Sequence, residues 1–171
     1  MAISMKQSSP ASKAALLGIL CAVAVALSFL EGLLPALPIP GAKLGLSNIV
    51  TMYALSVLGL PAALAVAVVK AGFALLRGGF AFAMSLAGGL LSTLLMALAL
   101  RLLRRHVSFV GIGILGAIAH NAAQLGVAML LLDTALLAYA PWLLLMALLA
   151  GTLTGCVLNV VMPALARVSR D

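Results

Sequence analysis

The chain has 171 residues, 65% of them hydrophobic and 8% charged, and its mean hydropathy is +1.32. Soluble domains are about a quarter charged, so this sequence has too little polar surface for a water-facing globule. That excludes an ordinary soluble enzyme, a disordered protein and a nucleic-acid binder, despite a formal net charge of +7. Divided into spans of about 20 residues, the length accommodates about six helices, as expected of an all-α polytopic membrane protein.

The apolar runs divide accordingly. The first extends from about Ala14 to Leu34 and breaks at Pro35, Pro38 and Pro40; it is longer than a signal-peptide core and reads as a true span. The second begins near Leu44 and stops at Gly59, with Pro61 opening the third, the expected order of glycine after one helix and proline at the start of the next. The third ends near Leu76, the fourth covers about Phe80 to Leu100, the fifth Val107 to Leu132 and the sixth Pro141 to Ala166. Residues 1–13 then form an N-terminal segment, 14–166 a single transmembrane domain and 167–171 a short tail.

Cations decide whether residues 44–76 form one helix or two, because short cytoplasmic loops collect Lys and Arg. Two helices, with both termini cytoplasmic, place Lys6, Lys13, Arg101, Arg104, Arg105, Arg167 and Arg170 inside and only Lys43 and Arg77 outside. One helix there would spoil that sorting. Multi-pass insertion in the cell membrane, with basic helix ends against anionic lipid headgroups, accounts for the net charge.

Ionisable groups within spans are functional candidates, since insertion of Lys or Asp at mid-span costs about 2.5–3.5 kcal/mol. Lys70 lies near the middle of the third span; it either snorkels to a headgroup or enters a polar pocket. Arg77, seven residues on, falls on nearly the same helical face and is either a pocket residue or an interfacial anchor. His120, Asn121 and Gln124 form a polar patch on the fifth span, suited either to interhelical hydrogen bonds or to a ligand pocket. Glu31 can pair with Lys43 or Lys70, or reach water. Between the first two spans, a proline- and glycine-stiffened segment carries Lys43 and Asn48 and is suited to capping a cavity. Small residues recur every fourth position at Ala14, Gly18, Ala22 and Ala26, and again at Gly151 and Gly155, allowing close helix approach within the chain or with another subunit.

No phosphate-binding glycine loop, zinc-protease motif or nucleophile elbow is present. The chain contains only three acidic residues, dispersed in sequence, whereas diphosphate chemistry with paired magnesium ions needs several carboxylates. Neither catalytic residues, a bound metal nor a cofactor is expected.

The stretches PGAKLGLSNIVT (Pro40 to Thr51), SLAGGLLS (Ser85 to Ser92), GAIAHNAAQLG (Gly116 to Gly126) and GTLTG (Gly151 to Gly155) resemble the Gx transporter family, also labelled heptaprenyl diphosphate synthase component I. The resemblance runs from about Leu30 to Val161, with one departure at Ala123, where a glycine is frequent. That family is similar to the substrate-binding S components of energy-coupling-factor transporters. The resemblance implies a six-helix bundle with an outward pocket capped by the first loop, working with a scaffold transmembrane subunit and two ATPases. It also implies that the Ala14, Gly18, Ala22 and Ala26 stripe docks the scaffold.

On this reading Lys43, Lys70 and Arg77 offer positive charge and Asn48, His120, Asn121 and Gln124 offer hydrogen bonds to a small, mildly favoured anionic metabolite. The alternatives are a non-catalytic accessory of polyprenyl diphosphate or quinone synthesis, and a self-sufficient permease.

Overall fold

The computed structural model describes residues 9–33, 45–103, 108–132 and 134–168. Six α-helices follow in chain order: α1 (Pro10–Leu33), α2 (Leu46–Val57), α3 (Leu60–Ala74), α4 (Gly79–Leu102), α5 (Phe109–Leu131) and α6 (Ala140–Val168). A 3₁₀ turn, Leu75–Arg77, extends α3, and a second, Thr134–Tyr139, leads into α6. Among the described residues there is no strand.

Local chemistry explains the boundaries. α1 starts four residues before the expected Ala14, because the Ser9 hydroxyl accepts the Ser12 amide proton at 3.2 Å and Pro10 occupies the first helical position. Ser108 caps α5 in the same manner, accepting from the Gly111 amide at 3.1 Å. Residues 45–76 contain two helices, broken at Gly59, whose φ of 92° is unfavourable for a residue with a Cβ. Pro61 stands in the first turn of α3, where its missing N–H leaves no bond unmade.

Among the described residues, five helical segments are long and apolar enough to cross a membrane: α1, α3 with its 3₁₀ extension, α4, α5 and α6. α2 is different. Its 12 residues rise about 18 Å at 1.5 Å per residue, short of the roughly 30 Å hydrocarbon layer. It is also the central helix, touching all five others, whereas α1 touches only α2 and α3. Val50, Thr51, Met52, Ala54 and Leu55 are all buried, so α2 hides its circumference in protein rather than lipid. A helix so enclosed has no lipid thickness to match.

The tightest packing joins α5 to α6. A Cβ at Gly113 would collide with the Gly151 carbonyl, one at Gly151 with the backbone of Ile114, and one at Gly155 with that of Val110. The Gly151 and Gly155 pair therefore serves contact within this chain. The α1 stripe does the opposite. Ala14, Gly18, Ala22 and Ala26 are all exposed, with nothing within 4 Å of a Cβ placed at Gly18. Gly151→Ala is expected to destabilise the bundle by about 1–3 kcal/mol through overpacking. Gly18→Ala is expected to cost nothing, since alanine is the better helix former. Unfolding of both variants in detergent, followed by circular dichroism, checks the contrast.

Candidate functional site

The first polar cluster joins α1, α2 and α3. Lys70 is only 3% exposed. Its ammonium donates to Asn48 Oδ1 at 2.9 Å and to Ser47 Oγ at 3.4 Å. The Ser47 hydroxyl in turn donates to Glu31 Oε2 at 3.2 Å, and Glu31 is itself 9% exposed. A single serine thus links a buried cation to a buried carboxylate, which is the condition for keeping either charge away from water. Lys70 reaches inward to α2 and does not snorkel.

The start of α2 is shaped to deliver these groups. Gly45 adopts the left-handed conformation at φ 75°, and its carbonyl accepts the Asn48 amide at 2.9 Å. A Cβ at Gly45 would lie 3.4 Å from Asn48 Nδ2 and 3.6 Å from Ala150 Cβ, so the turn is fitted between the Asn48 side chain and α6. One helical turn beyond Ser47, Thr51 is 2% exposed and its Oγ1 has no hydrogen-bond partner among the described residues. Ser47 and Thr51 complete the polar face of α2, and neither carries the charge that marks Glu31 and Lys70 in the sequence. The four-residue spacing of two hydroxyls was the available signal.

The second cluster is on α5, where His120, Asn121 and Gln124 are all buried. They reach toward two different helices, although Asn121 and Gln124 line one cavity. A Cβ at Gly88 of α4 would stand 2.7 Å from the His120 ring and 3.1 Å from Gln124 Cγ, so these two side chains occupy the space that Gly88 leaves empty. Asn121 turns to α6, where its Nδ2 donates to the Leu143 carbonyl at 3.0 Å. That is the interhelical bond a lone membrane asparagine commonly makes. Gln124 is 3% exposed and its Oε1 lacks a partner among the described residues. With Asn121 it lines a cavity of about 10 Å³, alongside Met84, Leu136, Tyr139 and Leu143, room for about one water.

α4 separates the clusters by little more than backbone. Gly88 abuts His120, and a Cβ at the adjacent Gly89 would lie 3.3 Å from Ala67 Cβ, one turn from Lys70 on α3. Ser92 and Thr93 both donate to the Gly89 carbonyl, at 3.2 and 2.7 Å, which satisfies their buried hydroxyls within the helix.

Two other expected site residues fall elsewhere. Arg77 is exposed and lies in the 3₁₀ turn after α3, where the tighter winding takes it off the face that Lys70 presents. Lys43 lies outside the described residues, as do Arg104 and Arg105. Among the described residues, no three His, Cys, Asp or Glu side chains converge in a metal-ligating group.

The heptaprenyl diphosphate synthase component I family matches residues 20–161. The chain belongs to this family. No curated protein matches it significantly, and no solved structure does. The family match spans Glu31, Ser47, Lys70 and the α5 cluster, together with Ala22 and Ala26 of the outward stripe. The family description denotes one component of a synthase, and this chain is a bundle of apolar helices.

Lys70→Met is expected to destabilise the protein by about 1.5–3 kcal/mol for each lost bond to the charged group. Combined with Glu31→Gln it should cost less than the two changes summed, with a coupling of about 0.5–3 kcal/mol. A double-mutant cycle on unfolding in detergent measures that term; strict additivity would separate the two charges. Gly88→Ala is expected to cost about 1–3 kcal/mol, with partial recovery when His120→Ala is added, read by the same assay.

Proposed function

We propose that this family member is a membrane-embedded, non-catalytic subunit that captures a small polar metabolite and passes it to an ATP-driven import machine. The supporting observation is the two-faced character of α1. Its inner face carries Ser28 and Glu31 into the bundle, and Glu31 joins the Lys70 cluster. Its outer face presents Ala14, Gly18, Ala22 and Ala26, with no helix among the described residues packed upon them. Small residues exposed at four-residue spacing suit a helix of a second protein, in keeping with a scaffold subunit that works with two ATPases.

In this reading six helices cross or enter the cell membrane, with both termini cytoplasmic. The cargo is met by Lys70 and Asn48, with Lys43 contributing from the preceding segment and His120 and Gln124 from across Gly88. An acidic or carbonyl group on the cargo takes over one of the hydrogen bonds that Lys70 makes to Ser47 and Asn48. Movement across the membrane is driven by the partners.

The family description favours a second reading, a non-catalytic companion of a prenyl diphosphate synthase. The outward α1 face serves either partner, so the identity of the partner decides between them. Affinity purification in mild detergent is expected to recover a transmembrane scaffold and two ATPases. Gly18→Leu with Ala22→Leu is expected to reduce that recovery at least tenfold while leaving the helical content unchanged. A soluble prenyl transferase in their place would establish the second reading.

A further inference from the structure

Arg77 stands apart from both polar clusters, and its surroundings point to a different ligand. It closes one end of a groove between the last turns of α1 and α3, about 190 Å³ in volume, lined by Ser28, Phe29, Gly32, Leu33, Phe73 and Leu76. That volume is below the roughly 300–1,000 Å³ of pockets that enclose a whole small molecule. An open apolar groove of this size accepts part of a chain. Phe29 and Phe73 meet edge to face at 6.2 Å between ring centroids, and Phe29, Leu33 and Leu76 are all more than half exposed. The groove is therefore continuous with the lipid-facing surface.

The guanidinium sits at the end of the Leu60–Arg77 span, where the apolar segment gives out. It lies beside α1, with Nη1 3.4 Å from a Cβ placed at Gly32. Arg77 makes no hydrogen bond or ion pair with any described residue. The partial negative charge at the C-terminal turn of α1 favours a cation there without engaging the five donors of the guanidinium. Those donors match the geometry of a phosphate. We infer that the α1–α3 groove binds an anionic phospholipid, its phosphate on Arg77 and the upper part of an acyl chain along Phe29, Leu33, Phe73 and Leu76. A bare anion would leave the apolar floor exposed, and a neutral lipid chain would leave the guanidinium unmatched. The bound lipid would fill the seam under the helix that carries the exposed small-residue stripe.

The test is native mass spectrometry of the full chain in mild detergent, titrated with dioleoyl phosphatidylglycerol or dioleoyl phosphatidylcholine. One phosphatidylglycerol is expected to survive activation at least tenfold more often than phosphatidylcholine. Arg77→Ala should abolish that preference, and Phe73→Ala should weaken retention of the chain. Arg101→Ala, at the opposite end of the bundle, should change neither. Equal retention of the two lipids, or unchanged preference in Arg77→Ala, overturns the assignment. Loss of the adduct on adding inorganic phosphate alone would reduce the site to an anion site and overturn it too. Farnesyl diphosphate displacing phosphatidylglycerol at lower concentration, through Arg77, would assign the groove to a prenyl diphosphate instead.

Discussion

A lysine buried among apolar helices must find an acceptor, and the acceptors available to Lys70 are on α2. Its bonds to Asn48 and Ser47, and the bond from Ser47 to Glu31, tie α3 to α2 and α2 to α1. Much else follows from satisfying that one charge. α2 has to begin inside the bundle, so Gly45 makes the left-handed turn against Ala150. α1 must turn its Glu31 face inward, which leaves the small-residue face outside. The only helix held solely by α2 and α3 is also the helix with an unoccupied contact surface among the described residues.

The other half of the bundle is held by a different device. Between α5 and α6, glycines bring backbones into direct contact, and between α4 and α5 Gly88 opens a recess filled by His120 and Gln124. Where lipid supplies no hydrophobic drive for helix association, close packing and interhelical hydrogen bonds carry the stability. The Asn121 bond to the Leu143 carbonyl belongs to this structural set. Gln124 differs, because a buried carbonyl oxygen without a donor is costly, and it faces a cavity with room for about one water. The α5 patch thus combines one residue engaged in packing with one that retains hydrogen-bonding capacity.

Several of these features were legible in the amino-acid order. Hydropathy gave the long helices, and the Gly59 and Pro61 pair marked the break between α2 and α3 because a positive φ and a missing N–H are local properties. Ionisable groups within apolar runs marked Glu31, Lys70 and His120 as unusual. The partners of those groups were not legible. Ser47 is an unremarkable hydroxyl until it lies between a carboxylate and an ammonium, and Arg77 shares a face with Lys70 only if the helix continues as α rather than tightening into a 3₁₀ turn. The depth to which α2 is buried was also hidden, since an apolar run of 12 residues reads alike whether it meets lipid or protein.

The sequence by itself determined that this is an all-helical membrane protein, where most helices begin and end, and which side chains need a partner. Composition, capping and helical period act along the chain and need no knowledge of neighbours. Only the tertiary structure decided that Gly151 and Gly155 face α5 while Gly18 and Ala22 face outward. It also decided that Lys70 is joined to Glu31 through Ser47, and that Arg77 stands over a groove on α1. Spacing fixes which residues share a face, but which face meets which helix is set by packing between segments far apart in the chain.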